Sequence, residues 1–451
     1  MEHIEKLTAL GLFDARAPRY TSYPAAPVFA PQTGAALQSE WLSKLPPTIP
    51  VSVYVHIPFC ERLCWFCACR TQGTRTLSPV EAYLDTVIAE LQLLRAALPA
   101  GVRMGRLHWG GGTPTILPPS MIRTLSGAIK AAIPPTDDFE FSVEIDPTMV
   151  DDAKIAALAS EGMNRASIGI QDFSPAVQAA IGRDQPYSAT LQCVNALRNA
   201  GITSLNADLV YGLPHQDLDT MSATIAQVLT LSPERIALFG YAHVPHMAKR
   251  QKLIDEAALP DEILRYRLAE SAAAQFQTAG FKAIGIDHFA RPEDSLAIAA
   301  DTHSLRRNFQ GYTTDDCQTL IGIGASSISR FSQGYVQNAS ATPAYIQRIE
   351  AGKLAGARGH VLSDDDQLRA RAIEMLMCDF KIDRDALRRA FGKAEADLIP
   401  VHQGVVDAFP DCVTYTHDAV TILPEGKPLT RLIARAYDKY TRTDAIYSKA
   451  S

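Results

Sequence analysis

Four cysteines stand close together in the segment HIPFCERLCWFCACR, at Cys60, Cys64, Cys67 and Cys69. The first three are spaced C-x-x-x-C-x-x-C, and a C-x-C step leads on to Cys69. A structural zinc site draws on two separated pairs of ligands, and no second Cys or His knuckle follows along the chain. Three thiolates on one tight loop suit a cuboidal four-iron, four-sulfur cluster whose fourth iron has no protein ligand. An iron left open in this way can chelate the amino and carboxylate groups of methionine. That would set the sulfonium of S-adenosylmethionine (SAM) beside the cluster for electron transfer and homolysis to a 5′-deoxyadenosyl radical. Cys60, Cys64 and Cys67 are the expected ligands of one such cluster, and Cys69 is not. The chain has eight cysteines in 451 residues, a low density that argues against a disulfide framework. Cys193, Cys317, Cys378 and Cys412 are scattered and read as small buried residues.

Further chemistry-bearing residues stand at the ends of apolar runs. Gly110, Gly111 and Gly112 follow RLHW. Consecutive glycines let a ligand approach the backbone because no Cβ intervenes, and no Lys-Ser or Lys-Thr follows to make a phosphate loop. Glu144 ends FSVEID, Gln171 ends RASIGIQ, Asp208 lies in SLNADLVYG and Ala242 follows RIALFGYA. Residues recurring at corresponding strand ends are where a barrel binds its ligands.

The elements that must position them alternate. Strand-like runs (VSVYVHI, RLHWGG, FEFSVEID, RASIGIQ, SLNADLVYG, RIALFGYA) are followed by amphipathic stretches near 78 to 98, 119 to 132, 151 to 161, 175 to 200, 217 to 230 and 261 to 279. Six strand-helix units imply a parallel sheet with right-handed crossovers. The expected fold is α/β, a partial (β/α)6 TIM-like barrel over residues 50 to 355, with FKAIGI as a possible further strand. Residues 1 to 49 read as an irregular, proline-bearing arm lying over another surface. Residues 356 to 451 read as a small, mostly helical domain with a β-wing: VLSDDDQLRARAIEMLMC starts a capped helix, VTYTHDAVTIL forms a hairpin, and a last helix falls near 428 to 440.

Hydrophobic residues make up 47% and charged residues 20%, as in a soluble globular protein. The net charge of −6 and the absence of a Lys/Arg run argue against nucleic acid or an anionic membrane as partner. No stretch has membrane-spanning length or the form of a signal peptide, so a cytoplasmic protein is expected. Nothing demands more than a monomer.

The sequence resembles the oxygen-independent coproporphyrinogen III oxidases of the radical SAM superfamily. The resemblance is carried by PRYTSYP (18 to 24), YVHIPFC (54 to 60), the C-x-C extension, HWGGGTPT (108 to 115), GIQDF (169 to 173), DLVYGLP (208 to 214), DHFARP (287 to 292) and NFQGYTT (308 to 314). It implies two SAM molecules, the first contacting Tyr54, Gly111, Glu144 and Ile328. The second would contact Phe66, Gly112, Thr113, Gln171, Arg183, Asp208 and Ala242. Tyr54 and Cys69 are the residues expected to act in catalysis. The implied substrate is coproporphyrinogen III, two of whose propionates become vinyl groups, and the implied reductant is a protein such as flavodoxin or ferredoxin. Four substrate carboxylates call for arginines, with Arg19, Arg291, Arg306, Arg307 and Arg330 as candidates. The rival readings are a HemW-like heme chaperone and a radical SAM oxidoreductase with a different substrate. The chaperones resemble this chain at the cysteine loop but lack the PRYTSYP arm and the fourth cysteine, so Cys69 and residues 18 to 24 favour the enzyme.

Overall fold

The computed structural model describes residues 2–31, 34–440 and 447–450. Six strands run parallel in chain order: β1 (Val51–Ile57), β2 (Met104–Gly111), β3 (Pro135–Ile145), β4 (Arg165–Gln171), β5 (Ser204–Tyr211) and β6 (Arg235–Gly240). Each is followed by a helix: α1 (Ser78–Ala97), α2 (Pro119–Ala132), α3 (Asp152–Ser160), α4 (Tyr187–Asn199), α5 (Leu218–Thr230) and α6 (Glu262–Thr278). Three helix starts are set locally. The side chains of Asp151, Asp217 and Asp261 accept the backbone N–H of Lys154, Thr220 and Leu264, satisfying donors the first turn leaves free.

Strands alternate their side chains between faces. Val53, Val55, Leu107, Trp109, Phe141 and Val143 face the helices and are buried with Val80, Leu84, Leu125 and Ile155. Trp109 meets Phe141 edge-on at 5.0 Å between ring centroids, a favoured aromatic geometry. The alternate positions carry Tyr54, His56, His108, Glu144, Ser167, Asn206 and Asp208, so the inner face is polar.

The sheet extends past both ends of the six. β7 (Leu320–Ile323) runs parallel to β1, with Tyr54 opposite Gly322. Antiparallel strands Ile328–Phe331, Gly334–Asn338 and Gly356–Val361 follow on that side. Beyond β6 lie His288–Ala290 and Lys282–Ile284, also antiparallel. FKAIGI thus adds a strand, separated from β6 by the reversed strand His288–Ala290 and so running in the same direction as the six, and the whole is a mixed sheet of 12 strands.

The stretch near 175 to 200 is two helices, Pro175–Ala180 and Tyr187–Asn199. The break holds Gly182 at φ +65°, where a Cβ would lie 2.6 Å from the Trp65 ring. The last helix is shorter than expected, Thr430–Arg435: Pro428, which has no N–H to donate, lies in the 3-10 turn Pro424–Leu429 that precedes it, and the helix ends at Arg435 instead of near 440. The arm is not irregular throughout: residues Glu2–Ala9 and Ala35–Ser43 are helical. Leu7, Leu12, Phe13, Ala17, Tyr20 and Tyr23 of the arm share a second core with Leu368, Leu376, Ile382, Leu432 and Tyr437. Helix Asp364–Asp379 begins at a capping box of Ser363 and Asp366, and a three-stranded sheet completes that region. No helix among the described residues is long and apolar enough to cross a membrane.

Candidate active site

The cysteine loop leaves β1 and closes on itself, since Phe59–Cys60 pairs with Gln72–Gly73 and Thr74 N donates to Cys60 O at 3.0 Å. It is pinned from three sides. Trp65 N donates to Ile181 O at 2.9 Å. Gln251 Nε2 bridges Phe66 O at 2.7 Å and Ala242 O at 3.0 Å. Arg250 Nη2 reaches Thr71 Oγ1 at 2.7 Å.

Cys60, Cys64 and Cys67 are half-buried free thiols and Cys69 is exposed. Their sulfurs do not all lie within 4.8 Å of one another. Donors point at the sulfurs: Arg183 Nη1 to Cys64 Sγ at 3.3 Å, and Cys69 N to Cys67 Sγ at 3.4 Å. The Cys69 hydrogen bond is the main cause pulling the Cys67 thiol down to about 6. Burial pushes Cys60 up to about 11, against a hydrogen bond from Thr113. Hydrogen bonds to ligand sulfur are what tune iron-sulfur centres.

The three glycines lie against this loop. Gly112 N donates to Ile57 O and Thr113 N to Phe59 O, each at 2.8 Å. Each glycine is required: Gly111 sits at φ +109° against the His56 ring, and a Cβ on Gly112 would fall 2.5 Å from Phe59 O. At Gly110 a Cβ would fall 2.5 Å from Glu144 Oε1. Glu144 Oε2 accepts from Gly111 N at 3.1 Å, and its Oε1 lies 3.3 Å from His108 Nε2. Burial pushes the Glu144 carboxyl up, but His108 and the Gly111 N–H outweigh it and hold it below its ordinary value. Tyr54 stacks on His108 at 5.8 Å and 15°, and its hydroxyl lies 3.1 Å from His56 Nδ1.

Across the barrel mouth, Arg183 is fixed by Gly169 O at 2.8 Å, Gln185 Oε1 at 2.8 Å and Asp146 at 3.4 Å. Gln171 ends β4 with φ +68°. Asp208 accepts from Ser167 Oγ and Asn206 Nδ2, each at 2.7 Å. Burial, helped by the charge of Glu144, pushes Asp208 up to about 6. Ile328 lies over Gly322, whose Cβ would come within 2.7 Å of Ile328 O, beside Tyr54. The structure therefore gathers Tyr54, Gly111, Gly112, Thr113 and Glu144 beside the cysteine loop, with Ile328 flanking Tyr54. Gln171 and Asp208 stand on the next two strands, Arg183 reaches Gly169 O from the loop after Pro175–Ala180, and Phe66 and Ala242 are joined through Gln251.

A strut lies behind this arrangement. Tyr83 of α1 donates its hydroxyl to His56 O at 2.8 Å and accepts from Ala325 N at 2.9 Å. Glu90, fully buried one helix turn pair further on, accepts from Gly324 N at 2.7 Å, Tyr345 Oη at 2.7 Å and Asn338 Nδ2 at 2.8 Å.

A cavity of about 730 Å³ opens at Ala242 and Gly240, between β6, α6, the arm, residues 424–431 and residues 448–450. Of the candidate arginines only Arg19 lines it. Arg307 lies behind, stacked on Tyr312 at 4.3 Å. Arg291 stacks on Phe281, Arg306 pairs with Glu374, and Arg330 is exposed on an antiparallel strand.

His56, His108, Ser167, Asn206, Arg250 and Gln251 belong to the site and were not foreseen. A signal existed for the first four. Strands of a parallel sheet covered on both faces read as continuous apolar runs, whereas VYVHI, LHWG, ASIG and LNADL alternate polar with apolar, as a sheet facing a polar interior does.

A cysteine loop of this spacing at the mouth of a parallel partial barrel defines a radical SAM enzyme, and residues 54–228 match the family model of the Radical SAM superfamily. The chain is 60% identical over 452 residues, 100% of both chains, to the oxygen-independent coproporphyrinogen III oxidase of Cereibacter sphaeroides. It is 51% identical to that of Paracoccus denitrificans, again over 100% of both. The solved coproporphyrinogen III oxidase HemN of Escherichia coli, a radical SAM enzyme, superposes with a TM-score of 0.90 at 35% identity, covering 94% of this chain and 98% of that one. The chain belongs to the family of oxygen-independent coproporphyrinogen III oxidases. As a radical SAM oxidoreductase it takes a 4Fe-4S cluster and SAM.

Proposed function

We propose that this chain carries out the oxidative decarboxylation of two propionates of coproporphyrinogen III to vinyl groups, giving protoporphyrinogen IX, in the cytoplasm and as a monomer. The observation that carries the reading is the set of family motifs from residue 18 to residue 314, with the cysteine loop at one polar barrel mouth. Each propionate loses one hydrogen atom, one electron and carbon dioxide in becoming a vinyl group. The cluster, with SAM bound, supplies the 5′-deoxyadenosyl radical that removes the hydrogen.

Within this reading Cys60, Cys64 and Cys67 hold the cluster, and Arg183 and Cys69 direct N–H groups at its sulfur ligands. Glu144, Gly111, Tyr54 and Ile328 orient the SAM molecule at the cluster. The glycines bring that molecule against bare backbone, and the barrel wall with the arm excludes water. Asp208, Gln171, Arg183, Gly112, Thr113, Phe66 and Ala242 hold a second SAM. Electrons enter from a reductant protein such as flavodoxin or ferredoxin. The reconstituted protein, kept anaerobic with SAM, a strong reductant, an electron acceptor and coproporphyrinogen III, is expected to form protoporphyrinogen IX with 5′-deoxyadenosine and methionine. Slow SAM cleavage without porphyrinogen consumption, together with stoichiometric heme binding, would overturn the reading in favour of a heme chaperone.

The second SAM can be tested separately. Asp208→Ala is expected to keep one SAM at the cluster and bind the other at least tenfold more weakly, as expected when a charged acceptor is lost. A carboxylate accepts hydrogen bonds only at full strength when ionised. Because Asp208 titrates near 6, the weaker-site affinity of the unsubstituted protein should fall as pH drops from 7 to 5, and that of Asp208→Ala should not. Equilibrium dialysis with labelled SAM reads both sites; two sites of unchanged affinity in Asp208→Ala would exclude the role.

A further inference from the structure

The cavity beside Ala242 has an unusual charge balance at its inner end. Arg19, Arg307 and Arg431 crowd around one carboxylate, Asp287. Burial pushes that carboxyl up, yet Arg307, His288 and Arg19 together hold it at about 2. Arg307 Nη2 stands 3.7 Å from Asp287, and its Nε and Nη2 donate to Arg19 O at 3.3 Å. Its Nη1 is buried with no partner among the described residues. Arg431 gives its donors to the carbonyls of Ala17, Pro18 and Lys449, which satisfy its hydrogen bonds without supplying a negative charge, so that it too draws on Asp287. Burial and then the charge of Arg19 push Arg431 down to about 10.

Arg19 differs from the other two. One nitrogen donates to Gly240 O at 2.8 Å, and the guanidinium makes no other hydrogen bond among the described residues, sharing only the charge of Asp287. It is ringed by groups from the arm, barrel and C-terminal region yet keeps an exposed surface, because that surface faces the cavity. Three guanidinium groups around the one carboxylate of Asp287 leave an excess of positive charge at this end of a cavity that Glu256, Glu262 and Glu270 also line, and an anionic ligand at Arg19 would balance it. A guanidinium fork with free N–H groups is matched to a carboxylate in particular.

We propose that this cavity is the carboxylate anchor of the substrate site, in which Arg19, positioned by Arg307 and Arg431, binds a propionate of a tetracarboxylate macrocycle. The proposal rests on the substrate reading above and adds where and by which group the substrate is held. The location is suitable for the reaction. Gly240 and Ala242 form the rim, and Gln251 ties Ala242 O to Phe66 O of the cysteine loop, so one end of the macrocycle can be anchored while another propionate faces the barrel mouth. Substrate binding is then a matter of charge at one end and reactivity at the other.

The experiment is anaerobic equilibrium dialysis of coproporphyrinogen III against the reconstituted protein without reductant, so that no turnover occurs, followed by oxidation and porphyrin fluorescence. Arg19→Ala is expected to weaken binding about tenfold or more, the range for losing a charge-assisted contact, and Arg19→Lys to restore part of it. Ala269→Phe, which fills the cavity from α6 while leaving Arg19, Arg307 and Arg431 in place, is expected to weaken binding with cluster content and SAM binding unchanged. The tetramethyl ester of coproporphyrinogen III separates charge recognition from mere structural damage: the unsubstituted protein should discriminate against it, and Arg19→Ala should discriminate much less. Unchanged affinity in both Arg19→Ala and Ala269→Phe, beside an unsubstituted protein that binds and turns over the acid, would overturn the anchor and leave the substrate reading standing. An unsubstituted protein that neither binds nor turns over coproporphyrinogen III would take down both.

Discussion

Cys60→Ser, Cys64→Ser and Cys67→Ser proteins are expected to carry no stable 4Fe-4S cluster after anaerobic reconstitution and to lose all SAM cleavage, whereas Cys69→Ser should retain the cluster and lose turnover. Three ligands leave the iron that SAM requires, and a fourth would close it. The geometry separates the residues in the same way. Cys69 gives its backbone N–H to Cys67 Sγ, the position of a neighbour that supports a ligand rather than of a ligand itself. Because that donor belongs to the main chain, the Ser variant can keep it, so iron and sulfide should stay near the unsubstituted content. The measurement is iron and acid-labile sulfide per chain, with the electron paramagnetic resonance spectrum of the reduced protein. Loss of iron from Cys69→Ser as complete as from Cys64→Ser would show that the assignment is wrong.

The second large effect is expected far from any ligand. Glu90→Ala removes the acceptor of Gly324 N, Asn338 Nδ2 and Tyr345 Oη together. Asn338 Nδ2 keeps Gly324 O at 3.0 Å and Ser327 Oγ at 3.1 Å, but Gly324 N and Tyr345 Oη are left in a buried place, and an orphaned buried polar group costs about 1–3 kcal/mol, so a destabilisation of about 2 kcal/mol or more is expected in denaturant unfolding. Burial pushes the Glu90 carboxyl up to about 7, above its ordinary unfolded value. The sign follows: its contribution is fully present below the unfolded value near 4.5 and is lost as pH rises through 7. The unsubstituted protein should lose stability between pH 5 and 8, and Glu90→Ala should lack that part of the slope. A variant with unchanged unfolding at both pH values would remove Glu90 from this role. Because Tyr83 links the same helix to His56 O, the variant should also bind SAM at the cluster less tightly.

What the sequence made legible followed from local chemistry. The cysteine loop could be read directly because its ligands are close neighbours along the chain. The six parallel strands and their helices could be read because β-branched runs and aspartate caps mark them. Of the extension only FKAIGI could be read, since strands as short as His288–Ala290 and Ile328–Phe331 have no periodicity to detect. Helix Glu2–Ala9 was hidden by its length, too short to stand without the core it packs on. The arginine cluster was legible only in part. Arg19 and Arg307 were singled out by their motifs, but Arg431 joins them through tertiary packing alone, and Arg291, Arg306 and Arg330 drew equal notice while facing elsewhere. His56 and His108 were readable in principle, from polar residues recurring at every second place.

The second core, shared by residues 7 to 23 and the region after residue 364, also constrains the order of events during synthesis. Tyr20 bonds to Asp438 at 3.2 Å, Ala450 N to Ala15 O at 2.9 Å and Arg435 to Arg16 O at 2.8 Å. At roughly 5–20 residues per second, Leu7, Leu12 and Phe13 emerge some tens of seconds before these partners exist. The barrel strands between them can pair as they appear, but the arm must wait with its apolar side chains uncovered. Closing so long a loop adds little entropy, because that cost grows only with the logarithm of length. The delay is therefore one of time, and nascent chains halted before residue 430 should hold a formed barrel and an arm open to protease and chaperone.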